Sequence, residues 1–491
     1  LNYARFDELF IVSTLAVMSA KPTLNTQQKA AFKAIQKFLD HPAANVFILK
    51  GYAGTGKTYL MQHLGQWLKE NERSFCLLAS TGRAASVLKG KTGFAATTVH
   101  SELYNFSKVD GIDDSMFDKP AESTLNGQMS LQFTTRQPDE EKQLYIVDEA
   151  SMLSGVISKE VLFAQFGSGV LLNDFFEVVA KNKIIFVGAP CQLPPVGQSI
   201  SPALDLEWLA ANDRVALSFT LEKIERTKAT NDILKLAAAV REMSLQQAWE
   251  LYPKLPASGL KNVKLHASDK ELFNAYFKKY KESGINESLA IARSNNMVLS
   301  INKAMRRDLF GNMDMPLQTG EVLLVTQNNY KVSLTNGDFV TVCEIGNITV
   351  KAGLKFQSIR IKSVTSENEY RILLSLDALY SKKGNLSENQ MKELMMDFGY
   401  RMREKKIGTN SADYRKAMMQ DDYLNCLRAN FGYAVTCHKA QGGEWKNVFL
   451  FLDNNNNGMY NMPPLDLCKW WYTAITRARS ELHLAANWWI K

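Results

Sequence analysis

Gly51-Tyr-Ala-Gly-Thr-Gly56-Lys57-Thr58 sits between an apolar run, V-F-I-L, and a helix-compatible stretch, Y-L-M-Q-H-L-G-Q-W-L-K. Glycines at this spacing let backbone N–H groups and a helix N-terminus converge on an anion. The pattern is G-x-x-x-x-G-K-[ST], in which Lys57 would neutralise the β- and γ-phosphates of a nucleoside triphosphate such as ATP and the Thr58 hydroxyl would ligate Mg²⁺. Hydrolysis also needs a carboxylate for the metal and a group that handles the attacking water. L-Y-I-V-Asp148-Glu149-A-S supplies both: Asp148 to hold Mg²⁺, Glu149 to accept the proton of the water. The next apolar run, K-I-I-F-V-G, leads into Gly188-Ala-Pro-Cys-Gln192, and a glutamine there can hydrogen-bond the γ-phosphate or the water and so sense hydrolysis.

These residues need strand ends to hold them. Short apolar runs alternate with amphipathic stretches in two blocks, which predicts an α/β chain with parallel sheets flanked by helices. The first block has strands at 46–49, 75–79, 144–147 and 184–187; the second has them at 289–292, 448–452 and 482–485. Each block carries an insertion. One lies between His100 and Lys142, with a hairpin signal at Asn126-Gly127; the other, from about 338 to 430, reads as β-like first and helical later. Tyr104, Phe106 and Phe133 in the first insertion are read as packing before they are read as a wedge.

Length predicts about three or four domains. A net charge of +8 suits a polyanionic partner but supports it only weakly. The six cysteines are scattered without a C-x-x-C pair, so a disulfide framework or a zinc site is not expected and a reducing cytoplasm fits. The run from Leu9 to Met18 is about ten residues, too short to span a bilayer, so no membrane partner is expected. Residues 1–17 read as leader or vector sequence ahead of Met18.

With these motifs in hand, the chain resembles superfamily-1 (subgroup B) helicases of the RecD, Dda and PIF-type branch, from about Leu24 to the C-terminus. L-N-T-Q-Q-K resembles that branch's nucleotide-facing Q motif and places Gln28 against the adenine. A-S-Thr81-G-Arg83-A-A and T-T-V-His100-Ser101 resemble segments that touch single-stranded nucleic acid. L-E-K-I-E-Arg226 resembles the motif whose arginine reaches the γ-phosphate. Y-A-V-Thr436-C-His438-Lys439-A-Gln441-Gly442 and W-Y-T-A-I-Thr476-Arg477-A-Arg479 resemble the last two motifs.

The resemblance implies two RecA-like P-loop domains in tandem, with a pin-like insertion in the first and an SH3-like insertion in the second. It implies a tail over 1–23, a first unit over 24–218 with its insertion at about 104–142, and a second over 219–491 with its insertion at about 338–430. Gly51, Ala53, Gly54, Thr55, Gly56, Lys57, Thr58, Tyr59 and Gly442 would line the nucleotide, with Arg477 as arginine finger. Thr81, Arg83, His100, Ser101, Thr436, His438 and Lys439 would face the nucleic acid. The implied protein is an ATP- and Mg²⁺-dependent DNA helicase, moving 5′ to 3′ on single-stranded DNA and opening forked duplexes. It is expected to be a monomer, bacterial or phage-like and nucleoid-associated, with partners in repair or recombination.

One departure stands out. The branch writes G-D-x-x-Q, and here the aspartate position is Ala189. With no replacement carboxylate beside Gln192 in the sequence, restoring the aspartate is expected to raise turnover. Three other readings stay open: a RecD-like translocating subunit, a P-loop ATPase acting on protein, and a nucleic-acid binder silenced by Ala189.

Overall fold

The computed structural model describes residues 23–110, 130–138, 143–157, 164–224, 231–245, 252–312, 315–329, 331–453 and 459–491. The N-terminal segment 1–22, the Asn126-Gly127 turn and Arg226 lie outside the described residues.

The first sheet is six-stranded and parallel, in the order Ala96–Thr98, Phe75–Ala79, Leu144–Asp148, Lys183–Gly188, Val46–Gly51, Ala216–Leu221. The four strands expected from sequence are its four central ones. Side chains alternate between its two faces. Val46, Ile48, Leu78, Val147 and Phe186 enter one core, and Phe47, Leu49, Leu77, Ile146 and Val187 enter the other. Burial on both faces is why these strands are continuous apolar runs.

The second sheet is also parallel, in the order Val263–His266, Ala478–Ala485, Trp445–Phe451, Ser288–Ala292, Ala434–Thr436. Again the three expected strands are the central ones. Its core takes in Cys191 and Leu193 from the first unit, so the two units share buried apolar surface.

Two smaller sheets are inserted. Tyr104–Asp110 pairs antiparallel with Ser130–Thr135, which is joined by Ala164–Phe166. Tyr104 and Phe133 are buried there, and the Tyr104 hydroxyl donates to Asp174 Oδ2 at 2.6 Å; both residues pack. The other sheet is five-stranded and antiparallel: Glu369–Ser375, Leu354–Ser363, Phe339–Lys351, Val322–Val325, Ala429–Phe431. It therefore begins at Val322, upstream of the expected start near 338. Helices Glu388–Glu404 and Ala412–Gln420 follow its third long strand and close a methionine-rich core with Met391, Met395, Met402 and Met418. No described helix is long and apolar enough to cross a membrane.

Candidate active site

Gly51 closes its strand, and Gly54 and Gly56 take positive φ of 81° each, a conformation glycine adopts without steric cost. A Cβ on Gly56 would also meet Gln28 Nε2 at 2.4 Å. Gly56 caps helix Lys57–Glu70 without a side-chain hydrogen bond, which leaves the first N–H groups of the helix directed into the cleft. Lys57 Nζ donates to the carbonyls of Gly51 (2.7 Å) and Tyr52 (3.3 Å), and the Thr55 hydroxyl donates to Tyr52 O at 2.9 Å. The loop thus carries its own scaffold.

Gln28 is only 3% exposed. Its Nε2 donates to Thr55 O at 3.1 Å, and its Oε1 accepts from Asn25 N at 3.1 Å within a helix-capping box. Gln28 thus braces the loop and also lines the cleft beside it. Tyr59 stacks edge-on with His63 at 4.3 Å.

Asp148 ends its strand and accepts from Glu149 N at 2.9 Å. Burial, and then the charge of Glu149, push the Asp148 carboxyl up to about 7, against the pull of Lys57. Glu149 itself holds φ 51° and ψ 37°, the left-handed region that a non-glycine residue enters only when its surroundings impose it. A partly buried carboxyl with a second one beside it suits a divalent cation. Among the described residues no group of three or more His, Cys, Asp or Glu side chains could hold one by itself.

The second unit completes the cleft. Arg477, 5% exposed, is held by Thr473 O (Nε, 3.0 Å), Gly443 O (Nη1, 3.2 Å) and Thr476 Oγ1 (Nη2, 3.1 Å), just past helix Pro464–Ile475. With its amide oriented to satisfy its neighbours, Gln192 donates to Glu149 Oε2 at 3.0 Å and accepts from Arg477 Nη2 at 3.0 Å. Ala53 N donates to the Tyr472 hydroxyl oxygen at 2.8 Å, and Leu193 N to Thr473 Oγ1 at 2.9 Å. Gly442 packs so closely on the first unit that a Cβ would lie 2.9 Å from the Ala84 Cβ. The resulting cavity, about 650 Å³, is lined by Lys57, Thr58, Asp148, Glu149, Gln192 and Arg477 among others. Sequence reasoning missed Tyr472 and Thr473, although both precede Arg477 by about one helical turn.

The residues expected to face nucleic acid divide. Thr81 caps helix Gly82–Thr92 by accepting from Ala84 N, and Ser101 is exposed. His100 packs against Tyr104 and Phe166, and burial holds its pKa below the usual imidazole value. Thr436 and Lys439 line a second cavity of about 300 Å³ between the second parallel sheet and the five-stranded insertion; His438 is exposed nearby. Burial lowers the Lys439 pKa. Lys303, Lys382 and the half-exposed Tyr380 line the same cavity. Sequence reasoning missed these three because no motif contains them. Arg83 lines the cleft between the two units.

Residues 23–254 match the family model of an AAA domain, and residues 431–485 match that of a UvrD-like helicase C-terminal domain. The two matches fall on the two parallel-sheet units that build the cleft. The chain thus joins an AAA domain to a UvrD-like helicase C-terminal domain. Similar proteins include an uncharacterised protein of Acanthamoeba polyphaga mimivirus, 22% identical over 93% of this chain and 99% of that one. The RecD subunit of the RecBCD enzyme from Buchnera aphidicola is 21% identical over 70% of this chain. The helicase-type chain spans 53% of that RecD subunit, and 36% of an uncharacterised Methanocaldococcus jannaschii protein to which it is 22% identical. Among solved structures, Bacteroides Pif1 bound to single-stranded DNA is similar at 14% identity, TM-score 0.47, over 94% of this chain and 92% of that one. Candida albicans Pif1 gives 13% and 0.44, over 95% and 96%.

Proposed function

We propose that this helicase-type chain is an ATP-driven motor that moves along single-stranded DNA and opens forked duplexes, 5′ to 3′. The observation that carries the reading is Gln192, which joins Glu149 of one unit to Arg477 of the other inside a single cleft. ATP enters between the units. The N-terminus of helix Lys57–Glu70 and Lys57 take its phosphates. Asp148 and Thr58 would hold Mg²⁺, which supplies positive charge at the β- and γ-phosphates when bound. Glu149 accepts the proton of the attacking water, and Arg477 stabilises charge on the γ-phosphoryl group, an effect worth about 10³–10⁵ in rate where such fingers have been measured. Loss of that group removes an anion held by Lys57 from one unit and Arg477 from the other, which loosens the cleft and lets the units part.

Thr81 and Ser101 on the first unit, and Thr436, His438 and Lys439 on the second, take the strand. His100 supports that surface through its aromatic packing. Closing and opening the cleft shifts the two grips relative to each other and steps the motor along DNA. In this reading the first unit covers 24–218 and the second 219–491, with insertions at about 104–142 and 338–430. Phosphate release measured with oligo-dT and, separately, with casein tests the polymer: strong stimulation by oligo-dT alone supports the reading, and stimulation by casein alone defeats it.

A further inference from the structure

Arg83 leaves the first turn of helix Gly82–Thr92 and crosses toward the second unit. Its guanidinium lies 4.3 Å from the Trp445 ring centroid and 5.0 Å from that of Phe339. Gly443 packs against it so closely that a Cβ there would sit 2.5 Å from Arg83 Nε. Yet Nε is shielded from solvent and bonds to no acceptor among the described residues. Asp338 acts on it through charge, but that carboxylate already accepts from the backbone and hydroxyl of Thr335, at 2.7 and 2.9 Å. Arg477 donates to the carbonyl of the same Gly443. Two guanidinium groups, one from each unit, therefore flank one glycine at the wall of a cavity that also holds Lys57.

Burial first, and the like charge of Arg477 in addition, bring Arg83 down to about 10, so it remains charged at neutral pH. A buried cation with an unused N–H is costly unless an anion joins it. Stacking on Trp445 and Phe339 fixes the guanidinium plane and leaves its edges as donors. We propose that Arg83 is a phosphate-binding arginine of the nucleotide cleft, contributed by the first unit to the terminal phosphoryl group opposite Arg477. This rests on the ATPase reading above. It gives that reading a route from nucleotide to strand: Gly82, between Arg83 and Thr81, abuts Thr335, in the loop between Val322–Val325 and Phe339–Lys351, with no room for a Cβ. A phosphoryl group that draws Arg83 thus also acts on the segment that meets DNA.

The test uses the full chain with a fluorescent, non-hydrolysable ATP analogue and with fluorescent ADP, in the wild type, Arg83→Lys and Arg83→Ala. The analogue's Kd should rise about ten-fold in Arg83→Ala, the scale of one charge-assisted hydrogen bond, and by less in Arg83→Lys. The Kd for ADP should move less than about two-fold, whereas general damage to the fold would weaken both ligands alike. Affinity for oligo-dT without nucleotide, and its salt dependence, should stay as in the wild type. If Arg83→Ala does not fold, the analogue-to-ADP ratio in Arg83→Lys decides. An unchanged ratio in a wild type that binds both nucleotides overturns the Arg83 assignment alone. A salt slope for oligo-dT reduced by about one, with the ratio unchanged, makes Arg83 a DNA contact and overturns it too. A wild type that binds neither nucleotide overturns the ATPase reading with it.

Discussion

Arg477 Nη2 lies 3.0 Å from the side-chain oxygen of Gln192, a hydrogen bond between two units whose sheets are otherwise separate. The same amide reaches Glu149, so in the proposed mechanism a change at the site of hydrolysis passes to the arginine of the opposite unit through Gln192. Gln192→Ala should lower DNA-stimulated kcat by about 10²-fold, the range for losing one polar group aimed at a reacting phosphoryl or water. Arg477→Ala should lower it further and leave oligo-dT affinity without nucleotide unchanged. Steady-state phosphate release and fluorescence anisotropy check both. A Gln192→Ala enzyme with wild-type kcat would remove the bridge from the mechanism.

Asp148 gives a pH prediction. Its folded-state pKa is raised by burial and by Glu149, so the folded chain holds a proton that the unfolded chain releases between about pH 4 and 7. Stability contributed by the protonated form is present below that window and lost as pH rises through it. Without divalent metal, Asp148→Asn should therefore raise the Tm at pH 8 more than at pH 5. Thermal melts in EDTA at the two pH values measure this. An equal gain at both, or a loss at pH 8, would show that Asp148 is not held at a raised pKa.

Lys439 should behave differently from the cleft residues. It lines the cavity shared with Lys303, Lys382 and Tyr380, so Lys439→Ala should weaken oligo-dT binding and reduce its salt slope by about one phosphate's worth. Basal nucleotide binding should persist. A salt slope equal to the wild type's would place the strand elsewhere.

The centres of both parallel sheets were legible because their strands are buried on both faces and so read as unbroken apolar runs. The edges were not. Ala96–Thr98 is three residues of A-T-T, and Ala216–Leu221 is buried only at Leu221. Val322–Val325 was missed as the start of the inserted sheet because its partner Ala429–Phe431 lies far away in sequence. The nucleotide motifs were legible because phosphate chemistry restricts residue type and spacing. What those motifs touch was not: the bracing of the loop by Gln28 and the turn of Arg83 into the cleft depend on tertiary neighbours, Thr55, Trp445 and Phe339, that no local pattern specifies.

Ala189 tests how packing changes a sequence-based expectation. Sequence favours a gain in turnover from Ala189→Asp, since no carboxylate stands beside Gln192. In the structure Ala189 is 1% exposed, and its carbonyl accepts from Gln192 N at 3.2 Å. Asp148 already sits beside one like charge. A further buried carboxylate raises the cost of ionising the group, so Ala189→Asp should lower turnover at limiting Mg²⁺ and recover part of it as Mg²⁺ rises. Phosphate release across a Mg²⁺ titration decides it; a higher kcat at every Mg²⁺ concentration would restore the sequence-based expectation.

The central claim is that nucleotide turnover in the cleft between the two units drives movement along a DNA strand in one direction. Unwinding of forked duplexes that differ only in carrying a 5′ or a 3′ single-stranded tail, run with the wild type and with Lys57→Ala, measures it most directly. The account predicts ATP-dependent opening of the 5′-tailed substrate, little opening of the 3′-tailed one, and none of either by Lys57→Ala, whose ammonium takes the phosphates of Mg·ATP in this reading. Equal opening by Lys57→Ala, or ATP hydrolysis indifferent to single-stranded DNA with neither fork opened, would contradict it.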